Sequence, residues 1–158
     1  MKAMILAAGL GTRLRPLTDT RPKALIEIQR VPLLEIVIRR LLAAGVQEIV
    51  INTHHCAEQI AGFLQAHDNF GVRLELSHEP ELLDTGGGLR QAGHFFDDGR
   101  PFFLHNVDIV SNIDLRAMYA QHLASASLAT LAVKPRRTSR YFLFDEAGQL
   151  CGWKSMQP

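Results

Sequence analysis

The chain has few cysteines, little net charge and no long apolar run. Its two cysteines, Cys56 and Cys151, match neither a metal-ligand spacing nor a disulfide framework, which favours a reducing compartment. The formal net charge of +1 provides no overall field for binding nucleic acid or an anionic membrane. No apolar stretch reaches the roughly 18 residues that a transmembrane helix needs, and no signal peptide is evident. We therefore expect a cytoplasmic protein that binds neither nucleic acid nor membranes.

The sequence is apolar enough for a folded core. Hydrophobic residues make up 47% of the 158 residues, and this length suits one domain over 1–158. Short apolar runs predict strands at 2–9, 48–53, 72–77 and 101–108. Helical spacing predicts helices at 32–44, 56–66 and 114–123, with another that follows a glycine-rich loop and ends near residue 94. This alternation predicts an α/β fold, a three-layer, Rossmann-like and mostly parallel sheet with helices on both faces.

The last part of the sequence has a different pattern. Three segments, 127–133, 141–145 and 149–153, have the composition of strands and are joined by short turns. Short connections favour antiparallel pairing. We therefore expect these strands to pair antiparallel at one edge of the sheet.

The loop after the first strand, AAGLGTRLRPLTDTRPKAL (7–25), concentrates glycine and positive charge. Gly9 and Gly11 allow a sharp turn whose successive amides can form an anion-binding concavity. Arg13 can fork onto phosphate oxygens, and Lys23 can supply a point charge. A surface turn with solvated charges is the alternative. The ordered set of residues favours a phosphate site over that alternative.

Two common phosphate-binding loops do not fit this stretch. A dinucleotide fingerprint has a third glycine where this chain has Leu14, so a nicotinamide oxidoreductase is a weak alternative. A P-loop has its lysine directly after a glycine, whereas Lys23 follows Pro22. The loop is therefore of another kind.

Two later loops are expected at the same edge of the sheet, because ligands of open α/β sheets bind beyond the carboxyl ends of the strands. The first, EPELLDTGGGLRQA (79–92), has three successive glycines before a predicted helix. A backbone without side chains can pack flat against a planar ring, although a flexible turn is the alternative. The loop therefore indicates a surface suited to a planar ring, formed by Gly86, Gly87 and Gly88.

The third loop follows the strand at 101–108. Asn106 and Asp108 face the same way in an extended strand. An acid at the end of a buried strand is costly unless it is paired or binds a metal. Asp114 and Asn112 are interpreted as helix-capping residues. Asp108 is therefore expected either to be paired or to bind a metal ion.

The opening motif resembles the signature of the sugar-phosphate nucleotidyltransferases, also called nucleotide-sugar pyrophosphorylases. That pattern is a glycine-rich loop followed by Thr-Arg, Pro-Leu-Thr and Pro-Lys, and it matches Gly9, Gly11, Thr12, Arg13, Pro16, Leu17, Thr18, Pro22 and Lys23. The resemblance extends over essentially the whole chain. The TGGG form is most similar to the branch of muramic acid 1-phosphate uridylyltransferases and mannose-1-phosphate guanylyltransferases. Relative to that family, the chain looks short at its C-terminal end.

The resemblance implies a fold of the nucleotide-diphospho-sugar transferase type and a reaction between a nucleoside triphosphate and a sugar 1-phosphate. The products are a nucleotide sugar and pyrophosphate, and Mg²⁺ is the implied cofactor. Arg13, Lys23 and Asp108 are the implied catalytic residues, with Asp108 holding the metal. Many relatives have glycine where this chain has Val107. The implied nucleotide-binding residues are Ala8, Gly9, Gly11, Thr12, Arg13, Glu79, Gly86, Gly87, Gly88 and Asn106.

The resemblance leaves the base, the sugar and turnover open. Glu79 lies near the position of a base-reading residue, and a carboxylate there slightly favours guanine over uracil. In the family the later portion supplies sugar contacts and a second metal-binding aspartate, and nothing after Val133 matches such a site. The alternative function is therefore a nucleotide or nucleotide-sugar binding module without turnover.

Overall fold

The computed structural model describes residues 1–156, and eight strands and four α-helices lie within that range. The strands are β1 (Lys2–Leu6), β2 (Glu27–Ile28), β3 (Val31–Pro32), β4 (Glu48–Thr53), β5 (Arg73–His78), β6 (Phe102–Asn106), β7 (Arg140–Phe144) and β8 (Leu150–Ser155). The α-helices are α1 (Leu33–Ala43), α2 (Ala57–Ala66), α3 (Asp84–Gln91) and α4 (Leu115–Ala124).

Four parallel strands form the central sheet, in the order β5-β4-β1-β6. Met4 of β1 lies opposite Val50 of β4 and Leu104 of β6. The chain first adds strands on one side of β1 and then returns to its other side with β6. The predicted parallel sheet is confirmed, and the order of its strands reverses beside β1, where open α/β sheets form a crevice.

Both faces of this sheet are covered. On one face, residues of β1, β4 and β6 pack with α1, α2 and Leu115 in a cluster that includes Ala3, Ile5, Leu34, Ile38, Ile49, Ile51, Ile60 and Phe103. On the other face, a smaller cluster contains Met4, Val50, Ala92 and Phe95. Alternate residues of β1 therefore enter different clusters, as the pleat of a strand dictates. The three-layer arrangement with helices on both faces is confirmed.

The triple glycine lies inside a helix and not in a loop before one. Helix α3 begins at Asp84, so Gly86, Gly87 and Gly88 occupy its interior. Glycine costs about 1 kcal/mol relative to alanine in a helix interior, which is why the sequence predicted a loop. Close packing around Gly88, described below, overrides that preference.

The prediction for the last three strand-like segments is partly wrong. Residues 127–133 form no strand, and Leu128 is fully exposed. Apolar composition alone does not supply the partner that a strand requires. Among the described residues, β7 and β8 pair antiparallel with each other in a separate two-stranded sheet and do not extend the central one.

The chain divides into two compact units, Met1–Ala126 and a second one that begins at Ser127. The central sheet and all four α-helices lie in the first unit, and the β7–β8 hairpin lies in the second. A single domain over 1–158 stays a prediction, and its last two residues lie outside the described range. Within residues 1–156, no helix combines the length and apolarity needed to cross a bilayer.

Candidate functional site

A cavity of about 410 Å³ lies in the first unit, at the carboxyl ends of the central strands. Its walls come from the loop after β1, the ends of β4 and β6, and the segment around the start of α3. Because parallel strands all end at the same edge, residues that are distant in sequence meet here. The predicted residues that line the cavity are Ala8, Gly9, Gly11, Thr12, Lys23, Glu79, Asn106 and Asp108.

Gly11 fixes the shape of the loop after β1. Its φ is +63°, a conformation that L side chains rarely adopt, and an added Cβ would lie 3.0 Å from Thr18 Cγ2 and 3.2 Å from Lys23 Cβ. Thr18 is buried and its hydroxyl donates to the Gly11 carbonyl at 2.9 Å. A Cβ on Gly9 would meet open space instead. Gly11 is therefore required by the loop itself, whereas Gly9 keeps the cavity wall bare.

Lys23 and Asp108 form an ion pair on the cavity wall. The ammonium of Lys23 donates to Asp108 Oδ2, across a separation of 85 positions in the chain. The side chains are 19% and 34% exposed, so both are accessible to a ligand. The structure therefore places a cation and a carboxylate from two separately predicted loops side by side.

Four other predicted residues do not line the cavity. Arg13 lies on a short 3₁₀ helix, Thr12–Leu14, is exposed, and has no ion-pair partner in the described part of the chain. The cavity wall near α3 consists of Leu82, Asp84 and Thr85. The three glycines, Gly86, Gly87 and Gly88, follow them inside the helix. Their predicted contacts with a nucleotide stay predictions.

Glu79 is buried and points into the protein. It is 1% exposed, and its two carboxylate oxygens accept from Asn52 Nδ2 at 2.7 Å and from the Leu83 amide at 3.1 Å. Asn52 is 3% exposed, and its Oδ1 accepts from the Ala7 amide at 2.7 Å. The hydrogen-bonding capacity of the Glu79 carboxylate is thus directed at the protein. Its role in reading a base stays a prediction that this geometry does not favour.

Gly88 shows why a glycine stands inside α3. An added Cβ would lie 2.4 Å from Glu79 Oε1 and 2.8 Å from Asn52 Nδ2, closer than real Cβ contacts come. A Cβ on Gly86 would meet nothing within 4 Å. The helix can therefore approach the buried Asn52–Glu79 pair only where it has no side chain.

Eight residues of the cavity wall were not predicted as site residues from the sequence, namely Leu6, Ala7, Leu10, Asn52, Leu82, Asp84, Thr85 and Val107. Asn52 carried a usable signal, because it is a lone amide near the end of the apolar run EIVINT (48–53). The same pattern had singled out Asp108. The other seven have no local pattern that marks them as site residues.

Two histidines lie near this region. His54 Nδ1 lies 2.7 Å from the carbonyl oxygen of Glu79, and since a carbonyl only accepts, this nitrogen carries the proton in that contact. Burial lowers the pKa of His105 below its ordinary value of 6.5. Asp114 caps α4, accepting from the Ala117 amide at 3.0 Å, and this confirms its predicted capping role.

A parallel, doubly covered sheet with a polar cavity where the strand order reverses defines a Rossmann-like α/β class of protein. The family model described as "Nucleotidyl transferase" matches residues 2–143. The chain belongs to the nucleotidyl transferase family, which confirms the resemblance in the sequence.

Named relatives share this family. The chain is 38% identical over 144 residues to a mannose-1-phosphate guanyltransferase of Gibberella zeae, covering 89% of this chain and 40% of that protein. It is 44% identical over 120 residues to an N-acetylmuramate alpha-1-phosphate uridylyltransferase of Neisseria meningitidis serogroup B, covering 75% of this chain and 52% of that protein. The chain thus spans about half the length of these relatives.

A solved structure confirms the fold type. HddC from Yersinia pseudotuberculosis, complexed with GMP-PN, matches with a TM-score of 0.69 and 27% identity. The match covers 77% of this chain and 54% of that one. The matched portion is again about half of the longer protein.

Proposed function

We propose that this chain carries the nucleotide-binding part of a sugar 1-phosphate nucleotidyltransferase. The observation that carries the proposal is the Lys23–Asp108 pair on the wall of a cavity whose other side is the loop around Gly9 and Gly11. A bare glycine backbone, a cation and a carboxylate are the groups needed to hold a triphosphate together with its counter-ion. Family membership supports the same conclusion.

The proposed reaction joins a sugar 1-phosphate to a nucleoside monophosphate. An oxygen of the sugar phosphate attacks the α-phosphorus of the triphosphate, and the bond from that phosphorus to the bridging oxygen breaks. Pyrophosphate leaves with the electron pair of that bond. Since the attacking oxygen is already ionised, no general base is required, and the protein's task is positioning and charge neutralisation.

Individual residues have distinct proposed tasks. Lys23 neutralises the reacting phosphates at the cavity wall, and the backbone of Ala8, Gly9 and Thr12 holds the triphosphate. Arg13 is exposed beside this loop and is proposed to contact the pyrophosphate portion outside the cavity.

The donor set at the end of β6 fits a magnesium ion. Among residues 1–156 no group of three histidine, cysteine, aspartate or glutamate side chains could hold a metal, so a site made only of protein ligands is not formed there. Magnesium usually takes one or two carboxylates and completes its shell with water and substrate phosphates. Asp108 would supply the carboxylate, with Asn106 beside it. When bound, the ion would neutralise phosphate charge.

We also propose a cytoplasmic location with small-molecule partners. The two cysteines are free, as a reducing compartment allows. The net charge of +1 favours no polyanionic partner.

A binding module without turnover is the second candidate. The chain covers 40% of the guanyltransferase and 52% of the uridylyltransferase. Part of a site for two substrates can lie in the portion of those proteins that the chain does not match, and this favours the second candidate. Such a chain would bind a triphosphate but release pyrophosphate very slowly or not at all.

The test combines calorimetry with a turnover assay. Each nucleoside triphosphate is titrated into the parent chain and into Asp108→Asn, with and without Mg²⁺. Asp97→Asn is the matched control, because it makes the same change at an exposed residue outside the cavity. We expect a magnesium-dependent affinity that Asp108→Asn weakens by about 100-fold and the control preserves. Unchanged magnesium dependence in Asp108→Asn would contradict the assignment.

Turnover separates the two candidates. Pyrophosphate release is measured for each triphosphate against a panel of sugar 1-phosphates. A rate in the ordinary enzyme range of about 1–1000 per second would show a complete catalyst. Binding of a triphosphate without release of pyrophosphate supports the binding module without turnover.

A further inference from the structure

We propose that Asn52 and Glu79 are positioning residues, which hold the loop after β1 and the helix α3 in register through one buried chain of hydrogen bonds. The inference rests on the proposed nucleotide site and assigns Glu79 a task other than reading the base. We call this chain of contacts the Asn52–Glu79 link.

The link connects the two sides of the cavity without a gap. The Ala7 amide donates to Asn52 Oδ1 at 2.7 Å, and Asn52 Nδ2 donates to Glu79 Oε1 at 2.7 Å. The Leu83 amide, directly before α3, donates to Glu79 Oε2 at 3.1 Å. Ala7 is followed by the glycine loop, and Leu83 by the cavity-lining Asp84. Both proposed nucleotide-contacting segments are therefore tied to the same two side chains.

The direction of every hydrogen bond in the link is fixed. The backbone amides of Ala7 and Leu83 can only donate, so each end of the link must present an oxygen. The Asn52 side chain must then turn its nitrogen to Glu79, which accepts from both sides. A carboxylate meets that demand, whereas an amide at position 79 would offer one oxygen and one nitrogen to two donors.

Burial makes mismatches in the link costly. Asn52 and Glu79 are 3% and 1% exposed, so water does not replace a lost partner. Gly88 packs directly on the link, with no room for a Cβ beside Glu79 Oε1. The position of α3 on the sheet and the orientation of the link therefore depend on each other.

The link can be inverted by substitution, and this gives a sharp test. Asn52→Asp places a second carboxylate against Glu79, and Glu79→Gln leaves one of two donors without an acceptor. Together, the two changes reverse the central hydrogen bond. The new amide at position 79 donates to the new carboxylate at position 52, while both backbone amides keep an oxygen acceptor. The double variant also has the parent's net charge.

The experiment compares the parent, both single variants, the double variant and Glu81→Gln. Glu81 is exposed and lies outside the cavity, so its variant controls for a glutamate-to-glutamine change nearby. Two quantities are measured below the thermal transition. One is the affinity for Mg²⁺-GTP and Mg²⁺-UTP by calorimetry, and the other is hydrogen exchange at the amides of Ala7 and Leu83.

We expect each single variant to lose about tenfold in affinity and to exchange both amides faster, with the double variant within about threefold of the parent. Parent-like affinity and exchange in the folded single variants would overturn the proposal. So would a double variant that is weakened as much as the two single losses combined. If the single variants do not fold, a folded, parent-like double variant supports the link, and an unfolded one overturns it. If the parent binds no nucleoside triphosphate in the presence of Mg²⁺, the proposed function fails, while the exchange rates still decide whether the link holds the two segments.

Discussion

The Lys23–Asp108 pair and the Asn52–Glu79 link border the same cavity, but they differ in exposure. Lys23 and Asp108 are 19% and 34% exposed at their side chains, whereas Asn52 and Glu79 are nearly inaccessible. An exposed ion pair contributes about 1 kcal/mol or less, so a ligand can replace it at little cost. A broken buried hydrogen bond costs about 1–3 kcal/mol. We therefore expect one side of the cavity to exchange partners with a ligand while the other keeps its own.

The largest expected effect is a loss of ligand affinity without a loss of stability. Lys23→Ala and Arg13→Ala should each weaken triphosphate binding by on the order of 1.5–3 kcal/mol, the contribution of a charged hydrogen bond. The melting temperature should change by no more than about 2 °C, because neither side chain is part of the core. Calorimetry and thermal melts measure the two quantities.

Arg21→Ala is the control for these variants. Arg21 is exposed in the same loop, and its guanidinium lies 3.7 Å from the Glu27 carboxylate. Less than a threefold change in affinity for both Lys23→Ala and Arg13→Ala would remove them from the phosphate site. A large drop in melting temperature would show that the exposed side of the cavity also contributes to stability, as the buried side does.

The second expected effect concerns stability on the buried side. Gly88→Ala should lower the free energy of unfolding by about 1–3 kcal/mol, because its Cβ would overlap the Glu79 carboxylate. Gly86→Ala should raise it by about 0.4–1 kcal/mol, because the same methyl group enters open space in the same helix. Denaturant unfolding measures both, and shifts of the same sign would contradict the close packing at Gly88.

The smallest effect is expected for a surface pair that neither side of the cavity uses. A hydrogen bond to Glu75, at 2.6 Å, raises the pKa of His94 above 6.5. A raised folded-state pKa stabilises the protein below pH 6.5, and that contribution is lost as the pH rises through the folded value. His94→Asn should therefore remove a small decline in melting temperature as the pH rises from 6.5 through the folded-state pKa of His94. Identical profiles of melting temperature against pH for parent and variant would show that the His94–Glu75 pair does not affect stability.

Sequence patterns predicted the elements that local periodicity defines and missed those that depend on distant partners. The apolar runs of β1, β4 and β6 indicated strands, and Asp114 indicated a helix cap. The helical triple glycine was missed because its reason is the contact of Gly88 with Glu79 and Asn52, which no local pattern shows. Residues 127–133 were wrongly predicted as a strand, because an apolar composition does not supply the neighbouring strand that a β-strand must pair with.

The candidate site was predictable to a similar extent. Charged residues in ordered motifs, such as Lys23 and Asp108, were found from the sequence and meet in the structure. Arg13 belongs to the same motif, yet its position outside the cavity depends on how the loop turns. Asn52 was missed although it is a lone amide near the end of an apolar run, because its partners Ala7 and Glu79 meet it only when β4 lies between β1 and β5.

The position of β1 in the middle of the sheet also has a consequence for how the chain folds. β1 gains its second neighbour only when β6 arrives, and Lys23 meets Asp108 across 85 positions of sequence. Pairing of such distant segments is slow, because long loops must close before their contacts form. During synthesis, a chain that has emerged only as far as β5 has an open edge on β1, and unpaired edges template aggregation. We therefore expect the ligand cavity to be among the last parts of the molecule to assemble, and β1 to be the segment most in need of protection until then.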